Sequence, residues 1–151
     1  MTTPLLALDD FLPYRLSFTS NLVSDTIARA YESLFGLSIP EWRLVTVVAE
    51  TGGITQAAIG VRTRMDKVTV SRAAIALVER GLMARTPNPD DRRSHLLRLA
   101  RGRQPQQMRA PVAPKAIELE RRIFSAFRPE ELAQFAAMLR RIDERALSAA
   151  E

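Results

Sequence analysis

The sequence contains no cysteine and only one histidine among its 151 residues. Without cysteine the chain has no disulfide, no thiolate nucleophile, no cysteine-based zinc site and no thiol redox sensor. A single histidine, His95, excludes a metal site built from several histidines. We therefore expect a protein without a metal or other cofactor.

Long apolar runs are also missing. No window approaches the roughly 18 consecutive apolar residues of a membrane span. The first residues, MTTPLLALDDF, lack the basic segment and the apolar stretch of a secretory signal. We therefore expect a cytoplasmic protein with no membrane partner. The hydrophobic fraction of 46% is enough for a core, so one compact domain is expected, or a small domain with helical extensions that pack against a partner.

Basic residues outnumber acidic ones. The chain has 22 lysines and arginines against 17 acidic residues, a formal net charge of +5. Such a surplus favours a polyanionic partner, because lysine and arginine displace the counterions of phosphates. Many basic proteins bind no nucleic acid, so the charge indicates DNA only together with a suitable structural motif.

The motif begins at residues 66–80, which have the pattern of an amphipathic helix that ends at Gly81. One face carries small and apolar residues at helical spacing, namely Val70, Ala73, Ala74, Leu77 and Val78. The opposite face centres on Val68, Arg72 and Glu79, with Thr69 and Ser71 on its flanks. Small hydroxyl groups and one arginine suit base edges, whereas Lys67, nearer the rim, suits a phosphate. The alternative is an ordinary solvated helix.

A basic hairpin is predicted next, with strands at 82–85 and 95–99 around the turn 86–91. Six arginines lie between positions 85 and 103, against two aspartates. An arginine at the hairpin tip can enter the narrow minor groove, and an adjacent aspartate can hold its side chain extended. The alternative is that residues 90–93 form only a soluble turn.

Helices are predicted on both sides of this motif. Residues 9–35 form a long helix that Asp9 or Asp10 caps and Gly36 ends. Ser38 and Glu41 form a capping box for the second helix, and Thr55 caps a short third one that runs from Gln56 to about Gly60.

The C-terminal part begins with a proline-rich stretch. Pro105, Pro111 and Pro114 lead us to expect a kink or a late start in the fifth helix, and Pro129 opens the last one. The terminal helices carry apolar stripes that are too thin to enclose a core. They suggest pairing with a second chain.

This order of elements resembles the multiple-antibiotic-resistance regulator (MarR) family of winged helix-turn-helix transcription factors. The strongest parts are MDKVTVSRAAIALVERGLMAR and PDDRRSHLLRL, and the similarity covers nearly the whole chain. It implies a mainly α fold with a small β-hairpin wing. Residues 37–102 would form the DNA-binding lobe, and residues 1–36 and 103–151 the dimerisation region. A homodimer would bind a pseudo-palindromic operator in double-stranded DNA.

The resemblance also implies roles for single residues. Thr55 and Gln56 would contact phosphate, and Arg93 would be the wing-tip arginine that Asp91 braces. Val68, Thr69, Ser71 and Arg72 would face bases. Arg64, Lys67 and Arg92 complete the predicted DNA-binding set.

Family members commonly respond to small aromatic acids, which bind between the dimerisation helices and the DNA-binding lobe. By resemblance, Tyr14, Arg15 and Trp42 would line such a cleft, with Arg15 as the partner of the carboxylate. The alternative for these three is core packing and a surface charge.

The function that we expect is a sequence-specific transcriptional regulator, a homodimeric repressor released by a small aromatic ligand. The alternative is a non-specific nucleic-acid-binding or nucleoid-associated protein. The uncharged residues Val68, Thr69 and Ser71 favour the first function, because they suit base edges more than phosphates. We do not expect an enzyme. Asp91, Ser94 and His95 could be imagined as a triad, but a surface turn offers no oxyanion site or water-excluding pocket.

Overall fold

The structure, a computed structural model, describes residues 6–150; for residues 103–113 it describes the helical backbone but not the side chains. Residues 1–5 and 151 of the predicted dimerisation region lie outside the described part. A short 3-10 turn, Leu8–Asp10, precedes the first helix. The elements that follow are α1 (Leu12–Phe35), α2 (Ile39–Thr51), α3 (Gln56–Thr63), α4 (Lys67–Glu79), β1 (Met83–Pro87), β2 (His95–Leu99), α5 (Arg103–Phe124) and α6 (Pro129–Ala149). The predicted fold class, mainly α with one β-hairpin, is confirmed.

The chain divides between Pro111 and Val112 into two compact units. The division into a DNA-binding lobe and a dimerisation region remains a prediction, because it concerns function rather than compactness. Of the two outcomes expected for the fifth helix, the late start is wrong, since α5 begins at Arg103, and the kink stays a prediction. Pro105 falls in its first turn, where backbone N–H groups have no partner within the helix and a proline removes nothing.

Local sequence signals set the ends of α1 and α2. Ser38 and Glu41 form the predicted capping box, and Gly36 ends α1 in the left-handed conformation. The predicted aspartate cap of α1 is wrong, because Phe11 occupies that position. With Asp9 as the cap, Pro13 would stand where the first helical N–H is needed; the observed start places Pro13 safely inside the first turn.

The core of the first unit lies between α2, α4 and the hairpin. From α4, Val70, Ala73, Ala74 and Leu77 are buried and Val78 is half-buried, so the predicted buried face is confirmed. The other members come from α2, α3, the hairpin and the segments beside them: Leu37, Leu44, Val45, Val47, Val48, Ile59, Leu82, Met83 and Leu97. Packing against three elements at once holds α4 in place and leaves its opposite face to solvent.

The turn between α2 and α3 is hydrogen-bonded to the hairpin, which the sequence did not predict. Ile54 and Leu97 exchange two backbone hydrogen bonds, with N to O distances of 3.1 and 2.8 Å. Strands β1 and β2 pair antiparallel, with Met83 opposite Leu99 and Pro87 opposite His95. The bridge at Ile54 therefore adds a single-residue third strand that fixes the hairpin beside the start of α3.

Large apolar side chains remain exposed on both terminal segments. On α1 they include Leu12, Phe18 and Leu22, which are 73%, 47% and 57% exposed. On α6 the exposed residues Phe135, Met138 and Ile142 follow one another at helical spacing. Within the described residues, no helix combines the length and the apolar character that crossing a membrane requires.

Candidate DNA-binding surface

The start of α3 has the features of a phosphate-binding helix end. Thr55 caps the helix through its hydroxyl oxygen, which accepts from the backbone N–H of Ala58 at 3.2 Å. The first turn, which Gln56 opens, contains no acidic residue. The partial positive charge of the helix end is therefore not neutralised by its own residues, and a phosphate is favoured there.

The start of α4 is built differently. Asp66 caps it and accepts two hydrogen bonds from Thr69, from the backbone N–H at 2.8 Å and from the hydroxyl at 2.6 Å. These bonds hold the pKa of Asp66 below its ordinary value of 3.8, so the cap is an anion at neutral pH. A carboxylate at this end disfavours a phosphate, so the start of α4 differs from the start of α3.

The same cap limits what Thr69 can offer to DNA. Its hydroxyl hydrogen is already donated to Asp66. A base can still contact the methyl group of Thr69, or donate a hydrogen bond to its hydroxyl oxygen. If Thr69 contacts DNA as predicted, its partner is a donor or a thymine methyl.

The exposed face of α4 contains the predicted Val68 and Arg72, and Val68 is 57% exposed. It also contains Ile75, 44% exposed, which the sequence analysis did not select. Ile75 lies seven residues after Val68, nearly two full turns along the helix, so both share a face. This spacing was readable in the sequence. Ser71 is half-buried at the edge of the face, and Lys67 is exposed in the first turn.

Arg64 occupies the turn between α3 and α4 in a strained conformation. Its φ of 54° makes it the one non-glycine residue in the described part of the chain with a left-handed backbone. This conformation costs an L-residue about 1 kcal/mol, and glycine would avoid the cost. The exposed charge of Arg64 at a position that suits glycine agrees with its predicted contact with phosphate, which remains a prediction.

Replacing Arg64 by glycine should move stability and DNA affinity in opposite directions. We expect a gain of about 1 kcal/mol in the free energy of unfolding, measured by urea denaturation. We also expect weaker DNA binding, with a salt dependence lower by about one released counterion. Arg64→Lys keeps both the charge and the strain and should leave both quantities near their original values. Unchanged DNA binding by Arg64→Gly would show that Arg64 does not contact phosphate.

The hairpin tip is ordered by short-range hydrogen bonds. The Asp91 carboxylate accepts from the backbone N–H of Arg93 at 2.9 Å, and the Asn88 amide donates to the Ser94 hydroxyl at 2.9 Å. Asp91 thus braces the backbone of Arg93. The sequence had led us to expect a contact with the guanidinium of Arg93 instead, and the structure does not show it. A carboxylate two residues before an N–H closes a small ring that shapes the turn, and this local contact needs no extended side chain. Arg92 and Arg93 are both exposed beside it.

A groove of about 430 Å³ separates the start of α3 from the hairpin. Its lining residues are Thr55, Gln56, Ala57, Arg85, Asn88, Asp91, Arg93, Ser94, His95 and Leu97. Four predicted DNA contacts, from two distant parts of the sequence, therefore meet here. Arg64, Lys67, Val68, Thr69, Ser71, Arg72 and Arg92 are not part of the lining. Arg85, missed by the sequence analysis, adds a second arginine to the groove.

The three predicted ligand contacts do not come together within one chain. Trp42 stacks on Tyr31 with ring centroids 4.7 Å apart and packs against the core. Tyr14 lies 17 residues before Tyr31 on the same helix, about 25 Å away at 1.5 Å per residue. The Arg15 guanidinium pairs with Asp9 at 3.6 Å and lies over the ring of Phe18. Within the described residues, the buried indole N–H of Trp42 has no acceptor.

Helices α2 to α4 followed by a two-stranded hairpin constitute a winged helix-turn-helix fold, in which α4 has the position of a recognition helix and the hairpin that of the wing. Residues 35–94 match the sequence model of the MarR family. A search of curated proteins found no match.

Solved structures extend the likeness over nearly the whole chain. A MarR/EmrR family transcriptional regulator from Acinetobacter sp. ADP1 is 21% identical, with a TM-score of 0.84, over 95% of this chain and 99% of that one. A probable transcriptional regulator from Pseudomonas aeruginosa is 25% identical, with a TM-score of 0.73, over 90% and 99%. CouR from Rhodococcus jostii RHA1, bound to p-coumaroyl-CoA, is 23% identical, with a TM-score of 0.77, over 90% and 94%. Residues 35–94 thus match the MarR family model, and the chain shares its fold with solved MarR-family regulators.

Proposed function

We propose that the protein is a sequence-specific transcriptional regulator that binds double-stranded operator DNA as a homodimer and acts as a repressor in the cytoplasm. The observation that carries the proposal is the difference between the two helix starts. The acid-free start of α3 suits a phosphate, whereas Asp66 at the start of α4 leaves that helix to contact bases. The Asp66 carboxylate stabilises α4 as its cap, but it adds nothing to the affinity for phosphate on which non-specific binding relies.

The exposed apolar side chains of α1 and α6 support the homodimer. Phe18, Leu22, Phe135 and Met138 are each more than 40% exposed. Apolar rows of this kind on a helix favour burial against a partner. In a two-fold dimer the two copies of α4 would meet successive major grooves, and the wings would reach the flanking minor grooves.

A small ligand that releases the operator is part of the proposal. Its support is the buried indole N–H of Trp42, which has no acceptor among the described residues, and the p-coumaroyl-CoA bound by CouR. A ligand with an acceptor atom near Trp42 would satisfy this donor. The carboxylate of an aromatic acid is one such acceptor.

We propose no catalytic activity. Of the imagined triad, Ser94 donates its hydroxyl hydrogen to the backbone oxygen of Asp91 at 3.3 Å and accepts from Asn88. Its hydroxyl is therefore engaged in shaping the turn. In the imagined triad the serine would instead have to donate its hydrogen bond to the histidine base.

Selection of bound sequences from a random DNA pool tests the function. We expect a two-fold symmetric consensus with half-sites one helical turn apart. A tenfold excess of random duplex should then leave binding to the consensus nearly unchanged at 150 mM salt. If random DNA competes as well as the consensus does, the protein is a non-specific nucleic-acid-binding protein. Repeating the assay with p-coumaric acid or salicylate tests release by an aromatic acid.

A further inference from the structure

Arg98 differs from the other arginines of the hairpin, because its guanidinium is turned back onto the protein. Its Nη1 donates to the backbone oxygen of Gly52 at 2.7 Å, and its Nε donates to the hydroxyl of Thr86 at 3.2 Å. Gly52 ends α2, and Thr86 belongs to the neighbouring strand β1. One side chain thus joins both strands of the wing to the turn between α2 and α3.

Gly53 provides the space in which Arg98 lies. A Cβ atom added at Gly53 would be 2.9 Å from both Cζ and Nη1 of Arg98. The backbone of Gly53 does not require glycine for its φ, so the close approach of Arg98 is the constraint. The obstructing atoms belong to the end of an exposed, flexible side chain. Alanine at position 53 should therefore displace Arg98 and leave the fold intact.

The backbone joins the wing to this turn at a single residue pair, and Arg98 adds a second, side-chain tie. Ile54 and Leu97 make the only bridge between the turn and the hairpin in the described part of the chain. Strand β2 extends about 7 Å from Leu97 to His95 at 3.4 Å per residue, and the turn that carries Arg93 lies beyond it. A tilt of roughly 10° about the bridge would move His95 by about 1 Å and the wing tip by more. Such a shift exceeds the tolerance of a hydrogen bond to DNA.

We propose that Arg98 is a positioning residue for DNA recognition: its guanidinium fixes the wing against the α2–α3 turn and so places Arg92 and Arg93 relative to α4. Arg98 itself does not contact DNA. This inference rests on the proposed function for its effect on binding. The effect on the wing can be measured without DNA.

The absence of cysteine allows a direct measurement of wing position. Cysteines introduced at Asp90, in the wing turn, and at Glu79, at the end of α4, can each carry a spin label on an otherwise cysteine-free chain. Labelled protein is mixed with an excess of unlabelled protein, so that distances within one chain dominate. We expect a narrow distance distribution in the parent, and a broader or shifted one in both Arg98→Met and Gly53→Ala. The distance distribution of the double variant should differ from that of the parent no more than the distribution of either single variant does, because both changes remove the same contact.

Two further variants separate positioning from charge. Arg101→Met removes an exposed arginine three residues later and should leave the distribution narrow. Arg98→Lys can still reach the oxygen of Gly52 with one donor, and we expect it to restore most of the narrow distribution. An unchanged distribution in Arg98→Met and Gly53→Ala would overturn the proposal.

DNA affinity provides the second readout. On the consensus duplex from the selection, Arg98→Met and Gly53→Ala should each bind about tenfold more weakly, and Arg101→Met within about twofold of the parent. A broadened distribution with unchanged affinity would show that wing position does not matter for binding and would also overturn the proposal. If the parent binds no DNA at all, the proposed function fails, and the distance measurement still decides whether Arg98 holds the wing.

Discussion

Replacing Arg72 by alanine should reduce affinity for the selected operator by roughly 5- to 150-fold, which corresponds to about 1–3 kcal/mol. Affinity for a random duplex should change by much less. Arg72 is exposed on the face of α4 that carries Val68 and Ile75, opposite the buried Leu77. A guanidinium on this face can donate two parallel hydrogen bonds to O6 and N7 of guanine, a contact that random sequence offers only by chance.

The measurement is fluorescence anisotropy on two labelled duplexes, the operator and a scrambled sequence of equal length, at one salt concentration. Arg93→Ala is the matched control, because it also removes one exposed arginine but from the wing. It should weaken binding to both duplexes and lower the salt dependence by about one counterion. Equal losses on both duplexes for Arg72→Ala would mean that Arg72 contacts only phosphate, and α4 would lose its predicted role in specificity.

The parts of the fold that the sequence predicted are those decided within a few residues. Ser38 and Glu41 are three residues apart, and their reciprocal hydrogen bonds need no other part of the chain. Gly36 and Gly81 end helices because their left-handed conformations are cheap for glycine. The buried face of α4 followed from helical spacing alone. These features depend on local geometry, which the order of residues specifies directly.

Contacts between distant segments could not be predicted in this way. Arg98 is 46 positions from Gly52, and nothing near Arg98 in the sequence distinguishes it from an arginine that contacts phosphate. The six arginines of the hairpin region were therefore counted together as a basic surface. The structure removes Arg98 from that surface and makes it a part of the scaffold. The affinity of the wing tip is left to Arg92 and Arg93, which are exposed there.

The predicted ligand site shows a different reason for failure. Tyr14, Arg15 and Trp42 were chosen for the chemistry of their side chains. The length of α1, which separates Tyr14 and Arg15 from Trp42, was not taken into account. Trp42 packs near the end of α1, beside Tyr31, whereas Tyr14 and Arg15 are near its start. The length of α1 was readable in the sequence, but the position of α2 against its last turns was not. A cleft that used all three residues would need side chains from two subunits.

For Ile75, the sequence predicted the place on the helix but not the exposure of the side chain. An isoleucine on an amphipathic helix is usually interpreted as a core residue. Here Val70, Ala73, Ala74 and Leu77 already fill the buried side, and Ile75 falls on the other one. An exposed aliphatic side chain beside Arg72 is of the kind that can pack against a thymine methyl, and the Ile75→Ala variant described below tests this.

Replacing Leu77 by alanine should have the largest effect on stability, a loss of about 2–5 kcal/mol in the free energy of unfolding. Leu77 is 0% exposed and packs in the core that α2, α4 and the hairpin share. The loss is large beside the roughly 5–15 kcal/mol that stabilises a typical domain, so partial unfolding near 37 °C is expected. Urea denaturation followed by circular dichroism, at one fixed protein concentration, measures it.

Ile75→Ala is the matched control, because it makes a similar change two residues away on the exposed face of the same helix. Its stability should stay within about 0.5 kcal/mol of the parent, since alanine favours the helix and little burial is lost. Its operator affinity should fall, because the apolar contact beside Arg72 is removed. Equal destabilisation by the two variants would place Ile75 in a buried environment. That result would contradict the assignment of this face of α4 to DNA, because a side chain buried against protein cannot also contact a base.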